Sequence, residues 1–352
     1  MEISVTAGSP CPADGRSSWN LQQLRSAPED RRQECEKPQE PSASHARARY
    51  CYRTGAGILG NSSLLCLYNF TFIAAQRLRP TDLILNQLVL ANNLVILSKG
   101  IPQTMAALGL KSFLDEAGCK VVFYLHRVAR GVTLSTTCLL SGFQAAKLCP
   151  SISGWMELRI KSPKCIVFCC FLCWILHFVL NISVVQHVTG PTNTKNMSME
   201  KMYRYCSSPD LGRLVFSVTA VIFLFTDVMI WGLMVWTSSF MVLFLYRHKQ
   251  RVQHIHSSRL SPRANYETRA TCIILILVSM FISFHSLSST LSFWVTQIQN
   301  PIPWLINISS LVSLGFSTFS PLVFIFSDTR VSQFYSACWT RKTNAPDMVS
   351  GH

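Results

Sequence analysis

Seven apolar segments divide this chain, and they constrain its fold more than any other feature. Each has about 20 residues or more, enough to cross the hydrocarbon core of a bilayer as an α-helix. The segments fall at about 54–76, 82–108, 117–148, 165–188, 213–246, 269–297 and 304–326. Charged residues make up only 14% of the chain and lie mainly between the segments, unlike the pattern of a soluble domain. The sequence therefore predicts an all-α membrane protein, a bundle of seven transmembrane helices.

The chain divides into three parts. Residues 1–53 are polar and of mixed charge, with scattered proline and serine, and predict a disordered extracellular leader. No cleavable signal peptide is visible, so the first helix is expected to act as an uncleaved anchor. Residues 54–326 are expected to form the helix bundle, and residues 327–352 a short cytoplasmic tail.

Basic residues between the segments set the orientation, because cytoplasmic loops carry the excess of lysine and arginine. One side of the membrane holds the larger group: Arg77, Arg79, Lys147, Arg159, Lys161, Lys164, Arg247, Lys249, Arg251, Arg259, Arg263, Arg269, Arg341 and Lys342. The N-terminus is therefore expected outside and the C-terminus inside. Arg47, Arg49 and Arg53 disagree locally, since they come just before or at the start of the first segment, on the proposed outer side.

Two features of the proposed outer side agree with this orientation. Cys119 at the outer start of the third helix and Cys206 in the second outer loop can pair as a disulfide in an oxidising compartment. Asn196 begins a glycosylation sequon in the same loop. The sequons at Asn61, Asn69 and Asn307 fall inside apolar segments, where we expect no modification. The sequon at Asn181 is borderline, because it lies too near the bilayer for easy modification.

The third segment carries His126, Arg127 and Arg130 inside an otherwise apolar run. A charge at the bilayer centre costs roughly 2.5–3.5 kcal/mol on insertion scales, so such residues turn toward a cavity or a partner. Together with Lys99 of the second segment, His126 and Arg127 are expected near the mouth of a ligand pocket between the helices.

Arg130, Asp227 and His285 are expected deeper in the same pocket. At about 1.5 Å per residue, they lie roughly 16–21 Å from the outer ends of the third, fifth and sixth helices. We expect these three residues to form the pocket floor, with Asp227 offsetting the charge of Arg130. The alternative is a buried ion pair that fixes helix packing and contacts no ligand.

No known catalytic pattern is present. Gly-x-Ser-x-Gly, His-Glu-x-x-His, a Walker loop and paired carboxylates are all missing from the sequence, so we expect no enzyme. No aromatic-and-basic nucleic-acid motif occurs either. The cysteines Cys165, Cys169, Cys170 and Cys173 lie in an apolar segment and are expected to be apolar fillers rather than metal ligands. No metal and no cofactor are expected.

Seven helices, an external N-terminus and a Cys119–Cys206 bridge resemble a G-protein-coupled receptor. Gly60-Asn61 and Trp174 are similar to the rhodopsin-like pattern of that class. The other landmarks depart from it. In the second and third helices, Ala91-Asn92 replaces the Ala-Asp of that class, and Phe143-Gln144-Ala145 replaces its Asp-Arg-Tyr. In the sixth and seventh helices, Phe284-His285-Ser286 replaces Cys-Trp-x-Pro, and Ser320-Pro321-Leu322-Val323-Phe324 replaces Asn-Pro-x-x-Tyr. A neutral Gln144 cannot form the ionic lock that the arginine forms in that class.

These departures resemble one family, the vomeronasal type-1 receptors. The matching stretches are Leu78-Arg79-Pro80-Thr81-Asp82-Leu83, Lys99-Gly100-Ile101-Pro102, His126-Arg127-Val128, Leu134-Ser135-Thr136-Thr137-Cys138-Leu139-Leu140, Phe143-Gln144-Ala145, Leu245-Tyr246-Arg247-His248-Lys249, Val252-Gln253-His254, Ser261-Pro262-Arg263, Arg269-Ala270-Thr271 and Phe326-Ser327-Asp328-Thr329. The resemblance covers nearly all of residues 55–343.

The resemblance implies a chemosensory receptor in the plasma membrane of sensory neurons. Its ligands would be pheromones, mostly small and volatile, and its transducer an inhibitory-class G protein. The residues expected to face that G protein are Gln144, Lys147, Arg247, His248 and Lys249. Positive-inside topology alone is the competing interpretation of these cations.

Two other functions stay open at this point. A bitter-taste-type receptor also lacks Asp-Arg-Tyr, although it matches fewer of the stretches above. A transporter would also place polar residues at the midplane, but the sequence shows no repeated halves and no broken helices at matching positions.

Overall fold

The structure is a computed structural model, and it describes residues 41–75, 79–110, 113–148, 162–182, 213–254, 262–297 and 303–327. The chain divides into two compact units, Met1–Ala48 and Arg49–His352. The second unit holds the bundle described below. Every regular element in the described residues is a helix, in agreement with the predicted all-α class.

Nine α-helices and one π-helical segment make up the described structure. They are α1 Pro41–Ala75, α2 Pro80–Val95, the π segment Ile96–Gly100, α3 Ile101–Ala107, α4 Glu116–Leu148, α5 Pro163–Leu180, α6 Arg213–His254, α7 Pro262–Gln297, α8 Pro303–Ser313 and α9 Gly315–Ser327. The π segment joins α2 to α3 in one rod, and α8 and α9 form a second composite rod with a 42° bend. The described residues therefore contain seven rods, one in each predicted apolar segment. At its start α1 reaches back to Pro41, into the stretch expected to be a disordered leader.

Proline is the first residue of five described helices, α1, α2, α5, α7 and α8, and its effect is clearest at α2 and α5. Pro80 and Pro163 occupy the first positions of α2 and α5, where the missing N–H would have no helical acceptor anyway. The residues before them, Arg79 and Ser162, are extended, as a following proline requires. Asp82 adds a carboxylate to the first turn of α2, where the helix dipole favours it.

Among the described residues, five helical stretches are long and apolar enough to cross a membrane, and the bent α8–α9 pair makes a possible sixth. The five stretches are Arg47–Ile73, Pro80–Ala107, Pro163–Leu180, Asp227–Arg247 and Thr268–Ser292. Although α4 has 33 residues, it does not join them, because charged and hydroxyl side chains interrupt its apolar run. The count of seven spans and the orientation of the termini stay predictions.

Among the described residues, a core cluster extends through α1, α2, α4, α5, α6, α7 and α9. Leu88, Leu140, Met234 and Phe281 are fully buried in it, one each from α2, α4, α6 and α7. The opposite surfaces of α5, α6 and α7 expose large apolar side chains: Phe168, Phe171, Trp236, Leu243 and Ile276. Water would oppose such a surface, whereas lipid tails cover it without penalty. The chain is therefore a multi-pass membrane protein.

Candidate functional site

A small pocket lies inside the bundle between α2, α4, α7 and the α8–α9 rod. Its polar wall includes His126, Arg130, His285 and Ser288, and Phe316 forms part of its apolar wall. The cavity volume is about 20 Å³. That volume accommodates one or two water-sized groups, so in this state the pocket fits the head group of a ligand more than a whole drug-sized molecule.

Helical spacing explains which side chains of α4 face the pocket. His126, Arg130 and Thr133 follow one another at intervals of four and three residues, so they share one face of the helix. Arg127 is one residue away from this series, so its side chain turns to another face and is exposed. Arg127 is therefore not among the lining residues of this pocket.

Arg130 and His285 are the predicted pair that the structure brings into contact. Arg130 Nη2 lies 3.2 Å from His285 Nδ1. Because a guanidinium can only donate, Nδ1 accepts and the ring hydrogen resides on Nε2. Phe281 packs beside the His285 ring with centroids 4.3 Å apart, and Trp231 meets it edge-on at 6.2 Å. The aromatic contacts fix the imidazole that orients Arg130.

Asp227 does not join this pair directly. Its side chain is exposed on α6, and within the described residues no hydrogen bond links it to Arg130. Arg130 and Arg127 attract its carboxylate at longer range. Asp227 therefore contributes charge to the surroundings of the pocket, and His285 is a hydrogen-bond partner of Arg130.

Lys99 is buried in the π segment, 7% exposed, close enough to Arg130 for the two cations to repel each other. Pro102 explains the local geometry, because a proline cannot donate to the carbonyl four residues earlier. The N–H of Ile101 donates instead to Ile96 O, which widens the turn. Thr104 Oγ1 donates to Gly100 O at 2.7 Å and stabilises the segment.

Within the described residues, two buried polar atoms of side chains that line the pocket have no hydrogen-bond partner. They are Nδ1 of His126, a residue 6% exposed, and Oγ of Ser288, a residue 2% exposed. Leaving such an atom unsatisfied costs about 1–3 kcal/mol. Sequence reasoning missed Ser288, although it lies three residues after His285 on α7, and the same helical spacing could have identified it.

An amide network lies next to the pocket and links four rods. Asn92 donates to Ser320 Oγ at 3.0 Å, and its Oδ1 accepts hydrogen bonds from Ser317 at 3.2 Å and Thr133 at 3.4 Å. Asn61 of α1 donates to the Ser317 carbonyl at 2.8 Å. Asn92 occupies the position where rhodopsin-like receptors carry a carboxylate, and its uncharged amide satisfies the neighbouring hydroxyl groups by hydrogen bonding. The sequence indicated Asn92 but neither Thr133 nor Ser317.

At the end of the bundle that is predicted to face the cytoplasm, Gln144 joins α4 to α7. Its Nε2 donates to Thr271 Oγ1 at 3.0 Å, and both side chains are almost fully buried. Gln144 therefore contacts α7 in this state rather than the inner surface. Lys147 and Arg247 are exposed, whereas the structure describes only the helical backbone of His248 and Lys249.

The predicted features of the outer loop are only partly within the described residues. Cys119 is buried in the first turns of α4. Cys206 and Asn196 lie outside the described residues. The disulfide and the glycosylation stay predictions.

Long helices with apolar outer surfaces, a polar pocket inside and a hydrogen bond between the far ends of α4 and α7 define a helical membrane protein built around an internal polar site. Comparison with known proteins assigns the family. Residues 46–337 match the family model described as the Vomeronasal organ pheromone receptor family. The chain belongs to this family, the vomeronasal type-1 receptors, which are chemosensory G-protein-coupled receptors and not enzymes.

Individual relatives support the assignment. Vomeronasal type-1 receptor 1 of Gorilla gorilla gorilla is 55% identical over 300 residues, 85% of each chain. The human receptor of the same name is 54% identical over the same shares. Human Vomeronasal type-1 receptor 4 is 45% identical over 289 residues, 82% of this chain and 96% of the relative. The resemblance seen in the sequence is confirmed, and the bitter-taste and transporter alternatives are set aside.

Proposed function

We propose that this protein is a chemosensory receptor of the plasma membrane that binds small, volatile, pheromone-like ligands and activates an inhibitory-class G protein. The observation that carries the ligand part is the pocket that His126, Arg130 and His285 line inside the bundle. Receptors of this family act in general through a small-molecule ligand and a G protein. Lys99, Arg127 and Asp227 are proposed as charged surroundings of the pocket.

The proposed mechanism is a population shift between two helix arrangements. Helix α7 carries both His285 in the pocket and Thr271 at the inner end. The two residues are fourteen apart, about 21 Å along the helix axis. A ligand that repositions α7 at His285 would therefore also change the contact of Thr271 with Gln144. The exposed cations Lys147 and Arg247 are proposed to face the G protein.

The experiment that tests this proposal uses cells carrying an N-terminally tagged receptor. Surface level is measured by staining without permeabilisation, and inhibitory-class G-protein dissociation is recorded against a panel of volatile odorants. The Arg130→Ala variant should lose potency by at least about tenfold, as expected when a charge-assisted contact worth roughly 1.5–3 kcal/mol is removed. Its surface level should match that of the unmodified receptor.

The matched control is Lys120→Ala. It removes one cation from the same helix, but Lys120 lies at the helix start and pairs with Glu116, away from the pocket. Such an exposed pair contributes little, so potency should be unchanged. Equal potency of all three proteins at equal surface level would contradict the pocket, and a well-displayed receptor that no odorant couples to an inhibitory G protein would contradict the function.

A further inference from the structure

His177 of α5 packs against α4 directly beside Arg130. Its imidazole lies on Gly131, so closely that a Cβ at that position would overlap the ring. One turn further along α4, Ser135 Oγ lies 2.8 Å from His177 Nε2, and the two atoms share a hydrogen bond whose donor depends on the tautomer of the ring. Because His177 is only 6% exposed, this contact between the two helices is buried.

Gly131 follows Arg130 in the chain, and the two positions face different neighbours. Consecutive residues of an α-helix are about 100° apart around its axis. Arg130 Nη2 reaches His285 Nδ1 of α7 at 3.2 Å, whereas Gly131 carries the His177 ring of α5. One turn of α4 is therefore held between α5 and α7, and the position of the His177 ring sets how far α4 can move away from α7.

Helix α5 is also fixed by contacts that do not involve His177. Trp174 Nε1 donates to Gln87 Oε1 of α2 at 3.0 Å, and the Tyr124 hydroxyl of α4 donates to Phe178 O at 3.0 Å. These contacts should keep α5 attached to the bundle when His177 is replaced. Loss of the His177 side chain should therefore act locally, on the turn of α4 that it touches.

We propose that His177 is a positioning residue for the pocket, which holds α4 where Arg130 reaches His285. His177 is outside the set of described residues that line the pocket, so it acts through Arg130 and not on a ligand. Without its side chain, α4 relaxes toward the vacated space, as the surroundings of a new cavity do in part. Arg130 then withdraws from His285. The effect on potency rests on the proposed function, whereas the effect on Arg130 can be measured without a ligand.

The His285 ring provides that measurement. The full-length receptor is produced with isotope-labelled histidine and purified in lipid nanodiscs, and the nitrogen NMR signals of His285 are assigned by their loss in His285→Gln. His177→Ala should shift the Nδ1 signal toward the position that it takes in Arg130→Ala, because Nδ1 loses the same hydrogen bond in both variants. His177→Gln should leave the signal near that of the unmodified receptor, since its terminal amide can replace Nε2 in the bond to Ser135.

Two further variants separate this role from a general loss of contact between α4 and α5. Ser135→Ala removes only the hydrogen bond of His177, so it should shift the Nδ1 signal in the same direction but less, and it tests the proposal if His177→Ala does not fold. Tyr124→Phe removes another hydrogen bond between the same helices and should leave the signal unchanged. Thermal unfolding without ligand shows whether each variant is folded.

Potency toward the volatile odorants of the panel, each applied singly, is the second readout. At equal surface level, His177→Ala should lose potency by about two- to tenfold, as expected for one neutral hydrogen bond. Added to Arg130→Ala, the same change should cause no further loss, because His177 acts through Arg130. A contribution of His177 that is independent of Arg130 would instead produce the same loss in both backgrounds.

The proposal is overturned if the Nδ1 signal is unshifted in both His177→Ala and Ser135→Ala, if Tyr124→Phe shifts it equally, or if the potency losses are additive. Its failure is distinguishable from failure of the receptor function. A shifted signal without any odorant response would support the role of His177 and contradict the function. Odorant responses with an unshifted signal would support the function and overturn the role of His177.

Discussion

The hydroxyl group of Thr271 is the acceptor in a hydrogen bond between the end of α4 and the start of α7, the side predicted to be cytoplasmic. Rhodopsin-like receptors have an ionic lock at this point, whereas Gln144 makes a hydrogen bond between two uncharged side chains. A neutral buried hydrogen bond contributes about 0.5–1.5 kcal/mol, so this contact between α4 and α7 is weaker than an ion pair at the same place would be. The structure thus supplies a contact that the sequence could not, since nothing in the spacing of Gln144 names its partner on α7.

Removing that hydroxyl should raise signalling without ligand. Thr271→Val keeps the shape of the side chain but cannot accept from Gln144. We expect ligand-independent G-protein activation to rise by about two- to tenfold at equal surface level, because a loss of about 0.5–1.5 kcal/mol changes a population ratio by that factor. The measurement is basal dissociation of the inhibitory-class G protein.

The matched control is Thr271→Ser, which retains the hydroxyl. Its basal signalling should stay near that of the unmodified receptor. If Thr271→Val shows no increase over Thr271→Ser, the hydrogen bond does not hold the resting state and the population-shift mechanism needs another contact.

At the scale of elements, the α8–α9 rod depends on one glycine. Gly315 begins α9 at the 42° bend, and the ring of Phe284 on α7 packs directly against it. A Cβ at this position would overlap the ring. Ser313 and Ser317 lie on either side of the bend, and both line the pocket. The packing of Phe284 on Gly315 therefore fixes the positions of these two serines relative to each other.

Gly315→Ala should therefore destabilise the receptor. Overpacking of this kind costs about 1–3 kcal/mol, which lowers the thermal unfolding midpoint of the purified protein by several degrees. Phe284→Leu shortens the opposing side chain, so the double variant Gly315→Ala with Phe284→Leu should regain most of the loss. A double-mutant cycle on unfolding midpoints measures this coupling.

Gly142→Ala provides the control, because a Cβ there meets no neighbouring atom within 4 Å. That variant should unfold at the same temperature as the unmodified protein or slightly higher, since alanine favours a helix over glycine. Additive effects of Gly315→Ala and Phe284→Leu would show that the two positions are not in contact.

Particular residues show how far the sequence could predict these elements and the site. The lengths of the apolar segments predicted the seven rods. The estimated depth of each residue along its helix placed Arg130 at the level of His285, and the two side chains are in contact. The same estimate included Asp227, which is exposed, because depth along a helix does not specify the face on which a side chain lies. The widened turn at Lys99 was also missed, since Pro102 signals a disturbance of the helix without fixing its geometry.

At the scale of the whole molecule, the apolar outer surface and the family agree on a multi-pass receptor, while orientation rests on the distribution of basic residues. Asn196 should lie outside and carry a glycan. Asn196→Gln should therefore abolish the mass decrease that a glycosidase causes in the receptor from mammalian cells, measured by gel mobility. An unchanged decrease would place the glycan elsewhere and remove one support for the orientation.

Asn69→Gln is the matched control. Asn69 also begins a sequon, but it lies within α1, near the end opposite to the leader. The glycosidase-sensitive decrease should persist in this variant. If Asn69→Gln abolished the decrease instead, the inner end of α1 would have to be outside the cell, and the orientation would be wrong.

The widened turn Ile96–Gly100 affects how this receptor can be compared with others. A π turn contains one residue more than an α turn, and an added residue rotates everything beyond it by about 100° around the helix axis. Residues on α3 are therefore out of register with α2 by one position. An alignment to a receptor whose second helix is regular needs a one-residue gap within Ile96–Gly100. Without that gap, each equivalence assigned to Ile101–Ala107 would name the wrong face of the helix.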